Sequence, residues 1–123
     1  MEKLVFILLL LVITGIGYSQ QTIKLEDVSK HVGDSVKVCG KVYGIKWLEQ
    51  AKGSPTLLNI GAAYPNQLLT VVIWGDVRKK LEKTPEELFA DKEVCVTGRI
   101  ELYKEKEQVM IRSFEQIALE KNE

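Results

Sequence analysis

Val36-Lys37-Val38-Cys39-Gly40-Lys41-Val42 and Val94-Cys95-Val96-Thr97-Gly98-Arg99-Ile100 follow one pattern, V-x-V-x-G-(K/R)-(V/I). Strict alternation of apolar residues, most of them β-branched, predicts a half-buried strand in each. A glycine inside such a strand marks a bulge or a sharp bend, because no side chain resists the curvature. Two bent strands in a chain of 123 residues predict a small barrel that closes on itself.

In both segments the valines at even positions point inward, so Cys39 and Cys95 point outward. If the two strands run antiparallel with Cys39 opposite Cys95, Lys41 faces Glu93 and Lys37 faces Thr97, which is favourable across a sheet. Sliding one strand by two residues can put Lys37 opposite Arg99, a like-charge pair. The charges therefore prefer the register that joins the cysteines, and a Cys39–Cys95 disulfide is expected. Two free thiols or a metal pair are the alternatives. A metal site wants more ligands than two cysteines supply, and the chain has a single histidine, His31; no metal ligand set and no cofactor are expected.

Outward from these strands the periods change in order. Leu25, Val28 and Val32 have helical spacing and Gly33 ends the segment; His31 near its end suits the helix dipole and has a structural role. A long first strand runs over Ser35–Trp47, a second over 56–60 after Pro55, and a third over 68–74. Thr84-Pro85-Glu86-Glu87 is a capping box with proline at the first helical position, and two short helical pieces are expected at 76–82 and 85–90. A fourth strand covers 93–103. Lys104-Glu105-Lys106-Glu107 is a charged hairpin loop, and a fifth strand starts at Gln108, broken at Ser113–Gln116 before Ile117-Ala118-Leu119.

The expected fold is thus mainly β: a five-stranded Greek-key OB-fold barrel with a short N-terminal helix and a helix between the third and fourth strands. In that barrel the first and fourth strands are neighbours, as the cysteine register requires. The two glycine-bearing blocks and the centre Thr56-Leu57-Leu58-Asn59-Ile60-Gly61, Tyr64-Pro65-Asn66 and Thr70-Val71-Val72-Ile73-Trp74-Gly75 make the chain resemble small secreted bacterial OB-fold proteins. The same residues make it similar to the OB-folds of anticodon-binding domains and related nucleic-acid modules. The resemblance spans most of 25–119. It implies nucleic-acid binding, or a periplasmic relative with another ligand.

The first residues read as something other than fold. Leu4 to Ile13 is an unbroken apolar run after Lys3, and the small residues Gly15, Gly17 and Ser19 follow. That is the order of a secretory signal, so residues 1–19 are expected to be a signal peptide cleaved after Ser19. A retained anchor is the alternative, but a span needs about 20 apolar residues and this run breaks at Thr14-Gly15. Residues 20–123 are then one domain, periplasmic or secreted, with no membrane span. Two cysteines suit an oxidising compartment.

Lysine plus arginine and aspartate plus glutamate both number 17. Zero net charge is unusual for a dedicated nucleic-acid binder, whose affinity comes mostly from phosphate contacts; only a local basic face is compatible with that role. No catalytic constellation appears. No nucleophile has a histidine partner, and no phosphate-cradling or dinucleotide fingerprint is present, so the chain is not expected to be an enzyme.

Binding remains. An OB-fold binds oligomers across its second and third strands, between its first and last hairpin loops, with a basic groove and aromatic platforms. The residues of those types at those places are Lys41, Tyr43, Lys46, Trp47 and Lys52 along the first strand and its loop, and Asn59 and Tyr64 around the second. Arg99, Tyr103, Lys104 and Lys106 come from the fourth strand and its loop, and Arg112 from the fifth. Tyr43 and Trp47 serve equally as platform or as core, and Trp74 is assigned to the core. Glu49, Glu105 and Glu107 share the same loops, as in any solvated hairpin. Two readings follow. One is single-stranded nucleic acid, or another anionic oligomer, as partner. The other is an envelope module that binds protein or a small ligand.

Overall fold

In the computed structural model, which describes residues 20–121, eight strands form one mixed sheet. They are β1 (Gln21–Ile23), β2 (Ser35–Trp47), β3 (Thr56–Ile60), β4 (Leu69–Ile73), β5 (Glu93–Arg99), β6 (Glu101–Tyr103), β7 (Lys106–Ile111) and β8 (Ile117–Leu119). The hydrogen-bonded path runs β6-β7-β4-β3-β2-β5-β8, with β1 parallel to β2. The expected signal peptide lies outside the described residues. Among the described residues no helix is long and apolar enough to cross a membrane.

Eight strands are thus present where five were expected, and the reasons are local. The fourth expected strand divides at Ile100 into β5 and β6. There the Ile100 N–H donates to Asp34 O at 3.0 Å and its carbonyl accepts from Gly33 N–H at 2.7 Å. The segment before β2 thus occupies the backbone groups that would continue the β5 ladder. Ile117-Ala118-Leu119 does not prolong the fifth strand. A 3-10 turn at Phe114–Gln116, capped by Ser113, swings it away to pair with β5 as β8. Gln116 anchors the turn: Nε2 donates to Thr97 O at 2.9 Å, and Oε1 accepts from the Arg112 and Ser113 N–H groups.

The helices are shorter than expected. Leu25–Lys30 is a 3-10 helix that buries Val28. Between β4 and β5 lie α1 (Gly75–Arg78) and α2 (Pro85–Phe89). The Thr84 capping box of α2 is present, its side chain accepting from Glu87 N–H while Glu87 Oε1 accepts from Thr84 N–H.

β2 explains the curl of the sheet. Its first half, Ser35–Lys41, pairs with β5, and its second half, Val42–Trp47, pairs with β3. The change of partner falls just after Gly40, where a Cβ would stand 2.7 Å from Ile60 Cγ2; only glycine lets the two strands approach that closely. The β2–β5 register is the one the charges prefer. Cys39 faces Cys95, Lys41 faces Glu93 and Lys37 faces Thr97. The cysteines form a disulfide, with Cα atoms 4.0 Å apart. Glu120 is close to both sulfurs, but sulfurs joined to each other are not free thiolate ligands, and the metal-pair alternative falls away.

The core draws on every large strand. Val36, Val38 and Val42 of β2, Leu58 and Ile60 of β3, and Leu69, Val71 and Ile73 of β4 are buried. They meet Val94, Val96, Val109 and Ile111, with Val77 and Phe89 of the short helices closing one side.

Candidate functional site

The opposite face of β3, β4 and β7 carries a groove of about 600 Å³. Its floor is two cross-strand rows. Leu57, Val72 and Met110 are partners in register across the three strands, and so are Asn59, Thr70 and Gln108. Facing partners share a side of the sheet, so one row is apolar and the next is amide and hydroxyl. Trp74, two residues beyond Val72, continues the apolar end.

Three loops wall the floor. The β2–β3 loop contributes Leu48, Ala51, Lys52 and Pro55; the 61–68 connection contributes Tyr64, Pro65 and Gln67; the β6–β7 hairpin contributes Tyr103, Lys104 and Lys106. Lys106 ties two of the walls together, donating from Nζ to Pro65 O at 3.3 Å. Gln67 Nε2 donates to Thr70 Oγ1 at 3.1 Å. Lys104 Nζ sits 5.4 Å from the Tyr103 ring centroid. Tyr64 is 75% exposed and Tyr103 57% exposed, so both rings are open to a ligand. The groove holds three lysines and three large aromatics, and none of the described residues lining it is acidic.

Of the residues expected at a site, Lys52, Asn59, Tyr64, Tyr103, Lys104 and Lys106 are brought together here. Arg112 stands at the edge, its Nη2 3.6 Å from Met110 Sδ. Lys46 faces the groove side of the sheet opposite Leu57, beyond the lining. Lys41, Tyr43 and Arg99 lie elsewhere: Lys41 opposite Glu93 and 5.1 Å from the Tyr43 centroid, Arg99 opposite Ser35.

Trp47 is also outside the groove. A bulge between Val42 and Gly44 reverses the faces of the strand beyond it. Gly44 and Lys46 then face out with Asn59 and Leu57, while Ile45 and Trp47 fall on the side of buried Leu58 and Thr56. Trp47 lies under Arg78 and lines a second cavity of about 620 Å³ with Glu49, Lys79, Glu82, Lys83 and Glu87. That cavity mixes both signs of charge and offers a polyanion little.

Sequence reasoning missed Gln108 and Met110 as lining, and it placed Trp74 in the core. The ring of Trp74 is half-buried and seats against Gly53, whose absent Cβ would stand 2.9 Å from Cε3. A signal was available: Thr70, Val72 and Trp74 share a period of two, opposite to Leu69, Val71 and Ile73.

No protein-family model matches the chain, and no curated protein matches its sequence. Solved structures do. A chain of the S. pombe Stn1–Ten1 complex aligns with a TM-score of 0.60 at 14% identity, covering 85% of this chain and 81% of that one. The OBody AM1L10, bound to hen egg-white lysozyme, aligns at 0.57 and 17% identity, covering 89% of this chain and 100% of that one. A putative aspartyl-tRNA synthetase from Leishmania major Friedlin aligns at 0.57 and 12% identity over 85% of this chain and 21% of that one. At these identities the likeness is one of fold alone, and the fold is OB-like.

Proposed function

We propose that this chain is an exported, non-catalytic OB-fold module that binds single-stranded nucleic acid, or a similar anionic oligomer, along the β3–β4–β7 groove. In this reading β5 and β6 are the two halves of one strand of a five-stranded Greek-key barrel. The two halves lie near the two ends of the hydrogen-bonded path and only Ile100 separates them. β1 and β8 are additions to that barrel.

The observation that carries the proposal is the charge of the groove. A chain with equal numbers of acids and bases gathers Lys52, Lys104 and Lys106 around three aromatic rings and keeps carboxylates off the described lining. Basic walls with stacking platforms are the means by which OB-folds hold single strands. The aspartyl-tRNA synthetase among its structural neighbours is named for acting on a nucleic acid. The apolar run at Leu4–Ile13 and the Cys39–Cys95 disulfide support export to the periplasm or beyond. The sole histidine, His31, is engaged with Asp34 at 3.1 Å and does not line the groove, which supports a non-catalytic role.

The second reading, an envelope module for a protein partner, is favoured by the OBody bound to lysozyme and by the Stn1–Ten1 complex. A salt titration against labelled single-stranded DNA and RNA separates the two. Three lysine–phosphate contacts give a log–log slope of about −2, and Lys104→Ala or Lys106→Ala each flattens it by about 0.7. Absence of binding at low salt, with the disulfide intact, removes the nucleic-acid reading and leaves the protein partner.

A further inference from the structure

Gln108 is the one polar residue on the groove floor that is more than nine-tenths buried, at 7% exposure. Among the described residues no side-chain hydrogen bond engages its amide, nor that of Asn59 across the row. The Gln108 amide lines the groove, and the fully enclosed side-chain oxygen without a partner in that lining is Gln67 Oε1. Thr70, between the two, accepts from Gln67 and keeps its own O–H free to donate.

We infer that the groove reads the identity of one base on the Asn59–Thr70–Gln108 row and only stacks the neighbouring base on Leu57, Val72, Met110 and Trp74. This deepens the nucleic-acid reading and rests on it. Rows two residues apart along a strand stand about 6.6 Å from each other, room for two ring-sized sites side by side. An amide presents a donor beside an acceptor, the pattern that matches a base edge. An aliphatic and indole surface offers only π-face contact, which every base satisfies. The row thus supplies discrimination, and the apolar end supplies affinity without it.

The test uses the disulfide-bonded protein and four single-stranded homopolymers, one for each base, of about 8 nucleotides, within the span of one OB-fold. The strongest and weakest should differ by about tenfold. Gln108→Leu keeps the bulk and removes the amide. It should melt no lower than the parent, and it should bring the four affinities together. Asn59→Leu should do the same in part. Met110→Ala should weaken all four homopolymers alike. Equal binding of the four by the parent overturns the inference and leaves the nucleic-acid function standing. So does a preference that persists in both Gln108→Leu and Asn59→Leu. Absence of binding to any of the four overturns both.

Discussion

The Arg78 guanidinium lies over the Trp47 ring, 3.7 Å from its centroid. The same group donates from Nη1 to Thr56 Oγ1 at 2.9 Å, and Nη1 is 3.1 Å from Glu86 Oε1. That shorter contact is ionic; the hydrogen bond to the carboxylate goes to Oε2 at 3.4 Å. Only 10% of the Arg78 side chain is exposed, so one cation joins α1, α2, the end of β2 and the start of β3.

Arg78→Ala leaves the fully buried Thr56 hydroxyl without its donor, and Glu86 without its cation. It should lower the unfolding free energy by about 2–3 kcal/mol in urea. Trp47→Ala removes the cation–π contact at a cost of about 1 kcal/mol or more, and it should leave oligonucleotide affinity unchanged. Loss of affinity without loss of stability in Trp47→Ala would return the ring to the binding surface.

Tyr103 is the opposite case. It is exposed at the groove mouth and holds nothing in the core. Tyr103→Ala should weaken single-strand binding by about 1–3 kcal/mol and leave the melting temperature where it was. Anisotropy titration and a thermal melt of the same sample decide the matter.

The Cys39–Cys95 disulfide closes a loop of 56 residues in sequence. The chain-entropy model gives such a crosslink about 4 kcal/mol. The Cys39→Ala, Cys95→Ala double variant should lose that amount in equilibrium unfolding, with the groove geometry and the salt slope retained in whatever fraction folds. Equal stability of the parent and the double variant would contradict it.

The hairpin between β6 and β7 turns on Lys104 and Glu105, with φ of 50° and 66°. Two successive positive φ angles make the mirror-image turn that suits a two-residue hairpin, and glycine is favoured there. Glu105→Gly should raise stability by about 1 kcal/mol by relieving the left-handed penalty. It also removes a carboxylate next to Lys104, so binding at low salt should hold or tighten. A lower melting temperature would show that the turn is not under strain.

Much of this fold was legible because its signals are local. Ser35–Trp47 and Thr56–Ile60 end where alternation and proline end. The capping box at Thr84 needs only four residues to form. The β2–β5 register was legible too, because opposite charges two residues from the cysteines favour one pairing over the next. The break at Ile100 and the departure of β8 were not. Both arise where a distant segment, Gly33–Asp34 or Thr97, takes up backbone groups or fills a position that local sequence would have assigned to a continuing strand.

By itself the amino-acid sequence determined the inward and outward faces of the Val36–Val42 and Val94–Ile100 segments, the cysteine pairing and the mainly β class, since side-chain period and cross-strand charge act over one or two residues. Only the tertiary structure decided the site. The bulge at Val42–Gly44 reverses the side on which Trp47 falls. The groove exists because the curled sheet brings β3, β4 and β7 side by side under three loops distant in sequence. Which lysines and rings share it, and which amides are buried within it, depends on that curvature and on nothing that a short stretch of sequence contains.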